Sequence, residues 1–383
     1  MALKTLILVL FPIALVTAAP QLLQAAEECD STSCVEPECR CWDAGSPGGY
    51  QPFELPQMVF LTFDEAITVS NILDYDYILG ERINPNGCPI GMTYFLTHDY
   101  SDYRYVNYLY KKGCEIALHS LRGTDTDADY WKAASSETWH NEMEGLKTII
   151  SNNANIPIGS IVGSRAPFVQ PGGDAMIQPL KEIGSVYDAS YHTRLYTDPP
   201  LWPFTRDFEA GVDCQNPPCP TGRYPGFWSV PMVNLELNET HFCSMVDQCP
   251  SQPTRQEQYD FLMKNFLRHY ETNRAPFGIY AHSAWFQDAT HLLDGYTDFL
   301  DEILKWGDVY IVTIQKGIEW MKNPTSLQNM ATFTPWSCDS IFAPCRANEC
   351  SYLDVPPGGD RTMVTCSSSC PNSYPWYMNP LGE

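Results

Sequence analysis

The chain has 383 residues, with 23 Lys plus Arg against 46 Asp plus Glu, for a formal net charge of −23. That balance repels polyanions, so nucleic acid and anionic membrane surfaces are excluded as natural partners. The 44% of hydrophobic residues is enough to build a core and excludes wholesale disorder. At roughly 100–200 residues per domain, the length suits one large domain or two modest ones. The 15 cysteines are too many for a reducing cytosol without a metal role, and their spacing is not that of a zinc finger.

Residues 1–19 read as a secretory signal peptide: a basic start at Lys4, an apolar run from Leu6 to Val16, and a small-residue end at Thr17-Ala18-Ala19. The run is short for a membrane anchor, and no other stretch reaches about 18 apolar residues. A secreted, soluble, disulfide-bonded monomer without an anchor is therefore expected. Asn238-Glu239-Thr240 is a glycosylation sequon that suits export.

Residues 20–56 hold Cys29, Cys34, Cys39 and Cys41 with little periodicity and suggest a small stapled segment. Residues 57–325 alternate between strand and helix patterns. Strand-like runs fall at Gln57–Phe63, Met92–Leu96, Glu115–Leu118, Ser160–Gly163, Ser185–Tyr187, Phe227–Val230, Phe277–Ala281 and Val309–Thr313. Helical spacing falls at Asn71–Leu79, Arg104–Lys112, Ser136–Ile150, Gln256–Tyr270 and Leu292–Trp306. Such alternation implies parallel strands joined by crossovers. The predicted fold is a distorted (β/α) barrel of about seven parallel strands with disulfide-rich extensions at both ends. The Pro-rich stretch Tyr191–Val230, with Cys214 and Cys219, breaks the rhythm and is expected as a large loop over one end. Residues 326–383 carry Cys338, Cys345, Cys350, Cys366 and Cys370 and read as a stapled tail. An odd cysteine count leaves at least one thiol over, and Cys114, on a predicted buried strand, is the candidate. Proximity alone suggests Cys214 with Cys219 and Cys243 with Cys249.

In a parallel barrel, chemistry collects where strands end. The first strand runs into Asp64-Glu65 and the third into His119-Ser120; a later one leads to Arg165. Two more lead to Asp188 and His282. Each has an ordinary reading as a cap, an ion pair or a satisfied polar residue. Their shared position at one kind of strand end sets them apart.

These segments resemble the polysaccharide deacetylase family, specifically the arthropod chitin deacetylases, over about residues 57–325. The carriers are Thr62-Phe63-Asp64-Glu65, His119-Ser120, Arg165-Ala166-Pro167-Phe168, Tyr187-Asp188-Ala189-Ser190 and Ala281-His282-Ser283-Ala284-Trp285-Phe286. Flanking strings, among them Pro200-Leu201-Trp202-Pro203 and Pro225-Gly226-Phe227-Trp228-Ser229, add to the likeness. The resemblance implies hydrolysis of the N-acetyl group of chitin, assisted by zinc or another divalent metal that holds water and polarises the amide. By the same resemblance Asp64 is the base, Arg165 its partner, His282 the acid, Asp188 the carboxylate orienting it, and His119 a metal ligand. Two positions depart from the pattern: Glu65 stands for the second aspartate, and Gly123 for the second metal histidine.

A catalytic zinc site normally has three protein ligands and one open position, so metal binding is expected to be weakened or lost. Arg122, beside the gap, adds a positive charge to the expectation. Asp125, Asp127 and Asp129 read as a solvated acidic turn; Tyr130 and Ser136 fall where a calcium loop needs Gly and Glu. The leading reading is a secreted protein of a chitin-containing matrix, such as cuticle or gut lining. It would bind chitin or its oligomers while its deacetylase activity is weak or lost. The alternatives are an active metal-dependent deacetylase and a structural matrix component. Chitin is uncharged, so aromatic platforms should matter, and Trp202, Trp228 and Trp285 are the candidates.

Overall fold

The run Gln57–Asp64 (β1) is buried along its whole length, as a parallel strand covered on both faces must be. In the computed structural model, which describes residues 26–30, 32–355 and 358–383, β1 lies in a nine-stranded sheet, second from one end and paired to three other strands. The expected signal peptide lies outside the described residues. The next strands are Met92–Thr97 (β2), Glu115–Ser120 (β3), Gly163–Ser164 (β4) and Tyr187–Asp188 (β5). The order across the sheet is Phe277–His282, β1, β2, β3, β4, β5, Tyr224–Ser229, Phe204–Arg206, with Val309–Ile311 also paired to β1. Every pairing is parallel except that of Phe204–Arg206 with Tyr224–Ser229. Among the described residues no ladder joins the two ends of the sheet, so the barrel keeps an open seam.

The crossover helices Ile72–Leu79, Tyr103–Lys111, Ser136–Ala154, Arg255–Tyr270 and Thr290–Ile303 lie where the spacing predicts them, within a few residues. Four more were not predicted, two of them the short Ala128–Ala133 and Ala284–Asp288. Asp174–Glu182 contains Pro179, a residue that removes one backbone bond from a helix interior. Burial of Met176, Ile177 and Leu180 outweighs that cost. Ile314–Lys322 packs so closely on the sheet that a Cβ on Gly317 would stand 2.4 Å from the Phe60 ring. The stretch Tyr191–Val230 is more than a loop: its strands Phe204–Arg206 and Tyr224–Ser229 extend the sheet.

The flanks are bonded to this frame. In the N-terminal segment, the Arg40 amide donates to Thr205 Oγ1 at 2.9 Å, and the Thr205 amide donates to the Arg40 carbonyl at 3.0 Å. The tail forms an antiparallel hairpin of Asn348–Tyr352 with Arg361–Thr365. Seven disulfides join Cys29 to Cys41, Cys34 to Cys39, Cys88 to Cys338, Cys214 to Cys219, Cys243 to Cys249, Cys345 to Cys366 and Cys350 to Cys370. No helix among the described residues is long and apolar enough to cross a membrane.

Cys114 is the free thiol and is buried. Burial pushes its pKa up to about 12, which removes the reactive thiolate at neutral pH. Alkylation followed by intact mass should therefore add no label to the folded protein and one label after denaturation without reductant. Labelling of the folded chain at the same rate as a free thiol would contradict this placement.

Candidate active site

The C-terminal ends of β1, β3 and the strand Phe277–His282 open on a cleft of about 400 Å³. Register sets Asp64 directly beside His282 on one neighbouring strand and Phe95 on the other. Asp64, Glu65, His119, Gly123 and His282 all line the cleft.

Arg165 follows β4 and has no exposure. Its Nη1 donates to Asp64 Oδ1 at 2.6 Å and to Thr62 Oγ1 at 2.8 Å, and its Nε donates to the Ala189 carbonyl at 2.9 Å. The guanidinium lies 4.0 Å from the Phe95 ring centre and 4.9 Å from that of Tyr280. The buried carboxylate thus has a charge partner fixed on several sides, which a buried charge requires. The Arg165 carbonyl faces His119 Nδ1 at 3.0 Å. A carbonyl only accepts, so Nδ1 carries the proton and Nε2 keeps its lone pair. Burial pulls the His119 pKa down to about 4 against the charge of Asp64, so the ring is neutral near pH 7.

His282 behaves in the opposite way. Burial pulls its pKa down, but the hydrogen bond to Asp247 and the charges of Asp64, Asp247 and Glu65 outweigh that and raise it to about 9. Its Nδ1 lies 2.6 Å from Asp247 Oδ2. The carboxylate bonded to His282 is therefore Asp247, not Asp188. Asp188 accepts from the Ser190 hydroxyl at 2.6 Å and the Ser190 amide at 3.0 Å, and burial raises its pKa to about 6. It holds β5 to its own turn. Asp247 sits in the short loop closed by Cys243–Cys249, and no spacing in the sequence links it to His282.

The three tryptophans are not platforms. Trp202, Trp228 and Trp285 are buried, and none lines the cleft. Trp202 stacks on Trp320, and Trp285 packs on Phe286 and Tyr296. The aromatics at the cleft are Tyr100 and Phe168, 64% and 52% exposed. Both have positive φ, as do Glu65 and Val169. Left-handed backbone at four non-glycine residues is costly and is characteristic of functional sites.

Arg122 does not reach toward the cleft. It pairs with Glu142 and Tyr130 and lies 4.2 Å from the Tyr377 ring centre. Gly123 does line the cleft, at φ +49, and a Cβ there would meet Thr97 at 3.4 Å. Among the described residues, no group of three His, Asp or Glu side chains brings its ligand atoms within 4.8 Å of one another; the cysteines that do, Cys29, Cys34 and Cys41, are disulfide-bonded. Glu65 and His119 are two donors where a catalytic zinc takes three. The residues present therefore do not fit such a metal. What remains is an acid–base pair, a carboxylate acceptor on Asp64 and an imidazolium donor on His282, across neighbouring strand ends.

Chitin deacetylase 8 of Bombyx mori is 36% identical over 368 residues, covering 94% of this chain and 95% of that protein. The chain belongs to the chitin deacetylase family. Chitin deacetylase 1 of Bombyx mori is also 36% identical, over 375 residues, covering 94% of this chain and 69% of that protein. No family model matches the chain. Among solved structures, a putative polysaccharide deacetylase from Mycobacterium smegmatis covers 76% of this chain and 95% of its own, at 12% identity and a TM-score of 0.44. The chitin deacetylase of the fungal pathogen Colletotrichum lindemuthianum covers 71% of this chain and 89% of its own, at 14% identity and a TM-score of 0.37. Likenesses this loose add nothing to the placement among chitin deacetylases, which rests on the two Bombyx mori relatives.

The His282–Asp247 pair gives this chitin deacetylase relative a pH signature. The folded-state pKa lies above the ordinary 6.5, so the pair's stabilisation is complete below about pH 6.5 and is lost as pH rises through about 9. In Asp247→Asn, burial acts with one fewer opposing charge, and the His282 titration followed by NMR should fall well below 9. The alkaline loss of stability should shrink with it. A His282 titration unchanged in Asp247→Asn would show that another group sets it.

Proposed function

We propose that this member of the chitin deacetylase family is a secreted, chitin-binding protein whose deacetylase activity is weak or lost. The observation that carries this is Gly123, a cleft-lining residue with no side chain where the resemblance implies a metal histidine. A metal-bound water is acidic enough to be activated near neutral pH, and bulk water is not. Asp64 can accept a proton and His282 can donate one to a departing nitrogen, but with only Glu65 and His119 as metal donors the nucleophile stays weak. The seven disulfides fit an oxidising compartment, and a chitin-containing extracellular matrix is the proposed site of action.

The deciding measurement pairs zinc content with acetate release from N-acetylglucosamine oligomers. The unmodified chain should hold well under one zinc per molecule and release little acetate. The Glu65→Asp, Gly123→His double variant should gain both. Histidine is among the residues that tolerate left-handed backbone, at a cost of about 1–2 kcal/mol, and the 3.4 Å contact with Thr97 leaves room for it. Stoichiometric metal with steady turnover in the unmodified chain would instead establish an active enzyme with an altered ligand set, the reading that the retained Asp64–Arg165 and His282–Asp247 pairs favour.

Binding of an uncharged sugar rests on aromatic faces and hydrogen bonds. An aromatic contact contributes ~0.5–1.5 kcal/mol, so Tyr100→Ala and Phe168→Ala should each weaken oligomer binding by about 2–10-fold in titration calorimetry. Trp202→Ala should chiefly lower the melting temperature. No effect on affinity from either cleft aromatic would remove the platform role.

A further inference from the structure

The end of β2 at Thr97 and the loop after it, through Asp99 and Tyr100, form one wall of the cleft. Beneath it lies the C-terminal tail. Arg361 donates to both Asp99 oxygens, from Nε to Oδ1 at 2.9 Å and from Nη2 to Oδ2 at 3.1 Å. The Tyr374 hydroxyl donates to Oδ1 at 2.9 Å. His98 is gripped from the same side: its Nε2 faces the Pro375 carbonyl at 2.8 Å, and its ring stacks 4.8 Å from that of Tyr374. The carbonyl fixes the proton on Nε2, so Nδ1 accepts from the Tyr103 hydroxyl at 2.6 Å.

We propose that the tail braces the sugar-binding cleft from behind its wall. Asp99 is a binding residue that accepts a hydrogen bond from a hydroxyl or amide N–H of an N-acetylhexosamine chain. Arg361 and Tyr374 are positioning residues that aim it and carry Tyr100 beside it. The proposal rests on the chitin-binding reading above.

Three observations support it. An ionised carboxylate has about four acceptor sites; the tail fills two on Oδ1 and one on Oδ2, which leaves a site on Oδ2. The bidentate fork fixes the carboxylate plane, as a single lysine contact would not. Tyr100 keeps a left-handed φ of 66 with its ring 64% exposed, a conformation that a free loop would abandon. The tail is rigid enough to impose this, because Cys345–Cys366 and Cys350–Cys370 close it and Thr365 Oγ1 donates to Asn153 Oδ1 at 2.8 Å.

The ion pair also has a purely structural explanation, as a staple for the tail, and affinity separates the two. The full-length secreted chain is titrated calorimetrically with the N-acetylglucosamine hexamer, and melting temperature is recorded for each variant. Asp99→Asn and Arg361→Gln should each raise Kd about 5–20-fold. Arg361→Lys, which keeps the charge without the fork, should fall between Arg361→Gln and the unmodified chain. Tyr374→Phe should have a smaller effect in the same direction. If the unmodified chain binds the hexamer and the variants lose only melting temperature, the tail is a staple and the proposal fails alone. If the unmodified chain does not bind the hexamer, the chitin-binding reading fails, and this proposal with it.

Discussion

A guanidinium buried without solvent contact is the constraint on which this architecture turns. Asp64, Thr62 and Ala189 meet the Nε and Nη1 of Arg165, and Phe95 and Tyr280 cover its faces, while Nη2 finds no partner among the described residues. These partners come from β1, β2, the turn after β5 and the strand Phe277–His282, so satisfying one charge specifies how four parts of the sheet converge. Removing one partner of such a pair typically costs about 3–5 kcal/mol, because the other is left charged and alone. The same arginine reaches the chemistry twice, through its side chain to Asp64 and through its carbonyl to His119. The tautomer of His119 is therefore a consequence of the arginine's position in the chain.

The cleft built on that constraint is uneven. Both of its carboxylate-paired groups have their partners. Asp64 has its guanidinium, and His282 has Asp247 and a pKa near 9. Its metal half is thin. His119 offers a neutral lone pair and Glu65 a carboxylate on left-handed backbone, but Gly123 offers nothing. The two halves draw on different structural resources. Asp64 is held by buried hydrogen bonds within the sheet, and His282 by a part-buried bond to the Cys243–Cys249 loop. A metal ligand on the loop after β3 has no such role. Losing it leaves Arg122 bound to Glu142 and the loop intact.

Sequence order made the parallel sheet and most of the rim legible. Strand-end positions are local, and a buried parallel strand announces itself as a continuous apolar run. Asp64, His119, Arg165 and His282 came together because the topology allows little else. Asp247 was not legible, since its meeting with His282 depends on a disulfide loop folding back across 35 residues. Asp188 has the right residue type at the right strand end, but its own turn consumes it. The tryptophans failed for a different reason. Composition identifies large aromatics without saying which side of a strand or helix they occupy, and here burial claimed all three. Tyr100 gave no sequence signal and Phe168 stood out only within the string Arg165-Ala166-Pro167-Phe168, because left-handed backbone at a non-glycine residue leaves no trace in composition.

The cysteine-rich flanks also have a physical rationale. The N-terminal segment has little periodicity, and the tail hairpin buries only one short face, through Tyr352 and Met363, so disulfides limit the conformations that both would otherwise explore. A tail restrained in that way can brace one side of a cleft. Arg361 and Tyr374 need only be held still to keep Asp99 and Tyr100 turned toward the opening. The net charge of −23 does not oppose this arrangement. Long-range fields act on charged partners, whereas a neutral sugar chain responds to donors, acceptors and ring faces at contact distance. The acidic surface and the cleft can therefore serve solubility and recognition separately.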